Sequence, residues 1–267
     1  MTQRFPIIGH APAPLKNEGP YLAPIAFEID QISDLKEEVF GPVLHIVRYK
    51  ACELDKTISS INALGFGLTM GLHSRIDDRI GRVKAKAKVG NLYVNRDQIG
   101  AIVGEQPFGG EGLSGTGPKA GGPNYLKRLT KPEQRTDTVD LVTEMALPGP
   151  TGETNTLTSH PRGKLLCLGG DSPEILEQQV RLVQATGNVP VFADIEDLET
   201  ALMRNDLKGV VIDGRHRERV ARAIAHRPGE LLPVLSAQDE TYRFKLERVV
   251  TINTTAAGGN TALLSEV

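Results

Sequence analysis

The sequence predicts an α/β protein in two parts, and three observations carry that expectation. Apolar residues at helical spacing alternate with short β-branched runs from about residue 21 onward. The alternation lapses over 131–163, where Pro132, Pro148, Gly149, Pro150, Gly152 and Pro161 gather, and then restarts in a regular rhythm. The 267 residues exceed the usual single domain of roughly 100–150 and leave room for two cores.

The first twenty residues, with Pro6, Pro12, Pro14, Asn17, Gly19 and Pro20, form an irregular lead-in. Strand composition marks 21–29 and 44–49, and Leu54, Ile58 and Ile61 recur at the spacings of an amphipathic helix. A β-rich run over 67–74 precedes a helix whose face is Ile76, Ile80 and Val83, and 91–95 closes a strand–helix–strand alternation. Glycine is dense over 100–123, the composition of a loop that something approaches closely. After the lapse, strands are predicted over 164–168, 189–193, 210–212 and 231–235, with helices from 173, over 195–204 and over 215–226. Ser172 caps the first of these helices, Pro173 sits where its missing N–H costs nothing, and Gly187 follows its end. A last strand spans 248–254, and 255–259 is a small-residue turn.

Composition excludes several classes. With 31 basic and 33 acidic residues the formal charge is −2, which offers no bulk attraction to nucleic acid or anionic lipid. No apolar run reaches the roughly 18 residues of a membrane span, and prolines break the N-terminal stretch, so neither a span nor an export signal is predicted. Cys52 and Cys167 stand far apart and read as two buried, inert thiols in a cytoplasmic protein. The six histidines form no metal-ligand cluster, so no metal is expected.

Four segments carry chemistry by their order. Glu37, Glu38, Val39, Phe40, Gly41 and Pro42 alone fit equally a helix end with a solvated acidic pair and a core phenylalanine. Three others follow: 62–68 (NALGFGL), 90–95 (GNLYVN) and Pro107, Phe108, Gly109, Gly110 leading to Ser114 and Gly115. Together they resemble the C-terminal half of the aldehyde dehydrogenase catalytic region. The stretch 95–108 is similar to the aldehyde-anchoring loop of glutamate-semialdehyde dehydrogenases, while 147–155 and 247–264 resemble the tail of the bifunctional proline utilization A family.

The resemblance implies a fold made of the C-terminal part of an aldehyde dehydrogenase catalytic region over 1–135, a linker over 136–163, a small open parallel Rossmann-like α/β domain over 164–247 and a β-flap or oligomerisation tail over 248–267. It implies NAD as cofactor, with Glu38 accepting from its nicotinamide-side ribose hydroxyls and Phe40 packing near the nicotinamide ring. Gly100 and Ala101 would offer backbone amides to the carboxylate of L-glutamate γ-semialdehyde, and Phe108 would flank its aliphatic chain. The implied reaction is oxidation of that aldehyde to L-glutamate in proline catabolism, within a homo-oligomeric parent whose proline dehydrogenase part alone would use FAD.

The family's nucleophilic cysteine, its general base and its dinucleotide-binding half lie upstream of the Glu-x-Phe-Gly-Pro motif, and no cysteine precedes Glu38 here. The sequence therefore reads as a fragment that is inactive alone, with no catalytic residue assigned and the upstream half as its partner. A noncatalytic scaffold protein that keeps the fold suits the same absences. Gly169, Gly170 and Asp171 lack the spacing of a dinucleotide turn, Pro118 stands where a phosphate loop needs lysine with Lys119 one residue late, and Arg215, Arg217, Arg219 and Arg222 fit a solvated helix face.

Overall fold

A computed structural model describes residues 4–12, 22–130 and 144–255. The start of the first predicted strand at Tyr21, residues 131–143 and the tail from Ala256 lie outside these. The chain divides into two compact units: residues up to 65 together with 85–87, and residues 66–84 with 88 onward.

The first unit holds a three-stranded sheet of β1 (Ile7–His10), β2 (Ile25–Glu28) and β3 (Val43–Ile46), followed by α1 (Leu54–Ala63). β2 is antiparallel to β1 and parallel to β3. It begins after Pro24, which has no N–H for a ladder. Phe5, Phe27 and Ile29 form the buried core, with Ile25, Leu35, Val43 and Val47 packed on it. Leu54 and Ile58 are the buried residues of α1, at the spacing that predicts the helix. Cys52, expected to be buried, is exposed: it lies in the 3-10 turn Ala51–Glu53 ahead of the helix, none of whose residues is buried.

In the second unit the run predicted over 67–74 splits into β4 (Phe66–Gly67) and β5 (Thr69–Leu72), because the chain changes partners between them. β4 pairs antiparallel with β7 (Glu111–Gly112), whereas β5 pairs parallel with β6 (Asn91–Val94). The helix α2 (Asp77–Lys86) connects β5 and β6, and every residue of β6 is buried.

Residues 144–161, assigned by composition to a linker, form two strands instead. β8 (Glu144–Leu147) and β9 (Glu153–Pro161) make an antiparallel hairpin. The prolines and glycines that suggested a link make its turn, where Glu153 N donates to Pro150 O at 3.0 Å and Gly152 has φ +83.

After this hairpin along the chain comes a smaller sheet of four parallel strands in the order β11, β10, β12, β13: β10 (Lys164–Cys167), β11 (Val189–Phe192), β12 (Leu207–Val211) and β13 (Val234–Leu235). Its helices are α3 (Pro173–Ala185), α4 (Leu198–Leu202) and α5 (Arg217–Ala225). Strand alternation sorts its core: Leu165 and Cys167 pack with Leu182 and Val183 of α3, while Leu166 packs with Leu198 and Leu202 of α4 and Val220 and Ile224 of α5. This is the small open parallel α/β sheet read from the sequence.

The last strand, β14 (Lys245–Asn253), lies at the centre of a five-stranded sheet ordered β5, β6, β14, β9, β8. It is parallel to β6, from Val249 opposite Asn91 to Ile252 opposite Val94, and antiparallel to β9 over its whole length.

Candidate functional site

The chemistry-bearing residues fall in both units. Glu38 and Phe40 belong to the first, on the loop between the 3-10 turn Ile32–Asp34 and β3. No helix ends there, and Phe40 is 96% exposed, so the core-phenylalanine reading of this motif is corrected. Glu38 is exposed as well, and its carboxylate meets no donor among the described residues. A bare phenyl ring beside an uncommitted carboxylate gives this loop an apolar surface and an acceptor, the two features that a nucleoside presents complements for.

Gly100, Ala101 and Phe108 belong to the second unit. Asn95 opens their loop: it takes φ 58, accepts from Ser74 N at 2.9 Å and donates back to Ser74 O at 3.0 Å. Gly100 has φ +79, and a Cβ there would meet nothing within 4 Å, so glycine serves the backbone conformation rather than a close contact. Neither the Gly100 nor the Ala101 amide has an acceptor among the described residues, and both residues are exposed. Two neighbouring backbone amides without an acceptor are the kind of donors that an anion concavity uses. Phe108 is held in a bridge to Ala120 by reciprocal bonds of 2.9 and 2.8 Å, and its ring stays partly exposed at the far end of the loop.

The loop is stapled at its base by a residue that the sequence reading missed. Glu153 of β9 accepts from Arg96 Nη1 at 2.5 Å through one oxygen and from Gln106 Nε2 at 2.6 Å through the other. One carboxylate thus ties together both ends of the segment that carries Gly100 and Ala101. Asn155 donates to the same carboxylate at 3.0 Å and accepts from Thr251 of β14 at 2.7 Å, which connects the loop to the sheet centre. Composition placed Glu153 in a linker, and only the hairpin reveals its role.

Behind Phe108 lies a buried polar cluster around Lys119, which is 2% exposed. Its Nζ donates to Asn91 Oδ1 at 2.8 Å and to Gly109 O, and its backbone N–H donates to Glu247 at 2.8 Å. Burial pushes the Lys119 ammonium down to about 7, against the pull of Glu247 and Glu111. Because the unfolded chain holds this proton up to about pH 10, the burial penalty is complete below pH 7 and is relieved as the pH rises through the folded value. The stability of the native chain relative to Lys119→Met is therefore expected to climb between about pH 7 and 8.5, with a slope on the order of 1 kcal/mol per pH unit. Urea denaturation at four pH values checks this; parallel profiles for the two proteins would refute it.

Neither thiol is placed as a nucleophile. Burial pushes the Cys167 thiol up to about 12, and Cys52 belongs to the turn before α1. At the carboxyl ends of the four-stranded sheet, Asp213 is occupied by Ser236 Oγ, Ala237 N and Gln179 Nε2, and Gln179 also binds Gly169. Three of the arginines around α5 are paired: Arg219 with Glu199, Arg222 with Glu218 and Arg215 with Asp171. No group of metal-binding side chains occurs among the described residues, and no described helix is long and apolar enough to cross a membrane.

Residues 5–134 match the aldehyde dehydrogenase family model, so the motif-bearing part of the chain is a segment of an aldehyde dehydrogenase domain. Over 90% of its length the chain is 37% identical to the bifunctional protein PutA of Klebsiella aerogenes, and it spans about a quarter of that protein, 24%. A 1-pyrroline-5-carboxylate dehydrogenase of Bacillus thuringiensis is 48% identical over 34% of the chain and 18% of its own length. Proline utilization A from Corynebacterium freiburgense shares the fold, with a TM-score of 0.68 and 24% identity over 90% of this chain and 28% of that one.

Proposed function

We propose that the chain supplies the cofactor-side loop and the aldehyde-anchoring loop of an NAD-dependent L-glutamate γ-semialdehyde (pyrroline-5-carboxylate) dehydrogenase that yields L-glutamate in proline catabolism. The observation that carries the reading is the pair of free amides at Gly100 and Ala101 on a loop stapled at both ends by Glu153. They suit the substrate's carboxylate, whose recognition through backbone donors leaves the aldehyde end free to react. Phe108 supplies an apolar wall for the chain between carboxylate and aldehyde.

Glu38 and Phe40 fit NAD in kind: an unpaired carboxylate suits a vicinal ribose diol, and an exposed ring restricts where a flat heterocycle can lie. When bound, NAD accepts the hydride. The nucleophilic thiolate and the general base are assigned to a segment outside these 267 residues. The positions of Cys52 and Cys167 support that assignment and also favour a second reading, a scaffold that retains the fold without the chemistry.

The test is complementation. The purified chain alone is expected to form no NADH from the semialdehyde, and its mixture with a separately expressed family segment bearing the cysteine is expected to form it. Glu38→Ala is expected to weaken NAD binding in the mixture about tenfold, the loss of a charge-assisted hydrogen-bond pair. NADH formation by the chain alone would refute the proposal, and an inert mixture of two folded pieces would favour the scaffold.

A further inference from the structure

In the loop that carries Gly100 and Ala101, residues 97–104 are all exposed. Little packing holds such a loop in one shape, and ordering it costs chain entropy that its few contacts must offset. Within it, Ile99 N donates to Asp97 Oδ1 at 3.0 Å and Gln106 N to Ile102 O at 2.8 Å, and Gly104 N reaches out to Gly121 O at 3.0 Å.

The base of the loop is built differently. Tyr93 of β6, Thr251 of β14 and Asn155 of β9 stand in one row across three adjacent strands, with Thr251 opposite Tyr93 on one side and Asn155 on the other. All three are at most 3% exposed. Arg96 lays its guanidinium over the Tyr93 ring at 5.4 Å, while Asn155 accepts from the Thr251 hydroxyl and donates to Glu153 two residues along β9. Glu153 therefore sits between a cation and an amide that the sheet itself fixes, and buried Gln106 completes its set of donors.

A carboxylate is needed at this point. Its two oxygens take donors from opposite ends of the loop, Arg96 on one and Gln106 on the other, which sets the separation of those ends. An amide of the same size offers one acceptor oxygen and turns an NH2 group toward the second donor. With side-chain exposures of 12% for Glu153 and 20% for Arg96, water competes weakly for the pair.

We infer that Glu153 is the positioning residue of the aldehyde anchor: it holds the loop in the shape that presents the Gly100 and Ala101 amides to a substrate's carboxylate, without touching the substrate. This role rests on the dehydrogenase reading for the identity of that carboxylate. Glu153, Asn155 and Thr251 all lie beyond residues 5–134 that match the aldehyde dehydrogenase model, so control of the anchor is assigned to the part of the chain outside that match. Because the anchor is remote from the reacting aldehyde, loosening it should cost substrate recognition rather than the chemical step.

Two measurements test the role. In the full chain alone, hydrogen exchange at the Ile99, Gly104 and Gln106 amides is expected to accelerate about tenfold or more in Glu153→Ala, with the amides of β6 and β14 unchanged. In the mixture with the cysteine-bearing family segment, the same variant is expected to raise KM for the semialdehyde about tenfold with little change in kcat, and to lower kcat/KM for butanal, which has no carboxylate, about ten times less than for the semialdehyde. Glu153→Gln keeps the shape and one acceptor and is expected to fold and to show a smaller loss of the same kind, which provides the measurement should the alanine variant not fold. Unchanged exchange in a folded variant refutes the positioning. Equal losses for the two aldehydes, or a fall in kcat alone, refute its link to the anchor. A native mixture that forms no NADH overturns the dehydrogenase reading and the substrate part of this role with it, whereas the exchange measurement decides the positioning without that mixture.

Discussion

Gly90→Ala is expected to lower the stability of the chain by about 3 kcal/mol or more, the upper range for an overpacked core site. A Cβ at Gly90 would stand 1.9 Å from the carbonyl oxygen of Gly109 and 2.8 Å from its carbon, both backbone atoms. Nor can Gly90 step aside, since its N–H donates to Gly67 O at 3.0 Å and its carbonyl accepts from Val249 N at 2.8 Å. The displaced Gly109 carbonyl is also an acceptor of Lys119 Nζ, so the substitution strips a bond from a buried amine. Gly81→Ala in α2 is the control: its Cβ meets nothing within 4 Å, and the change is expected to stabilise by about 0.5–1 kcal/mol. Urea midpoints of the two variants should move in opposite directions; two small shifts of the same sign would refute the geometry at Gly90.

Glu111→Ala carries the second large effect. Both Glu111 oxygens accept from the Arg248 guanidinium at 2.8 Å, across 137 residues of sequence, with side-chain exposures of only 9% and 20%. Removing the acid leaves a largely desolvated cation beside the Lys119 cluster, at a cost of about 3 kcal/mol. Replacing both partners by methionine is expected to recover most of that loss, because the desolvation penalty leaves together with the attraction. A double-mutant cycle measured by chemical denaturation decides it: a double variant as unstable as Glu111→Ala would place the cost elsewhere.

These two sites mark where reading the sequence stops. The helix face of Leu54 and Ile58 and the two-sided burial of Leu165, Leu166 and Cys167 follow from local spacing, and they are found where that spacing puts them. The loop residues Glu38, Phe40, Gly100, Ala101 and Phe108 stand out only through the order of four motifs; each segment alone is ambiguous. Residues 144–161 misled because proline and glycine mark a hairpin turn as readily as a linker. Nothing local to Lys119, Glu153 or Arg248 announces that each meets its partners across a sheet, since the information lies in strand pairing between distant segments.

That pairing has a consequence for biogenesis. β14 fills the gap between β6 and β9, yet it is translated after both and after the whole four-stranded sheet. The sheet is therefore of high contact order, and the entropy of closing its longest loop is met late. Until then the apolar β6 offers an open strand edge to any extended chain nearby, which makes the nascent polypeptide a natural client for chaperones that mask such edges.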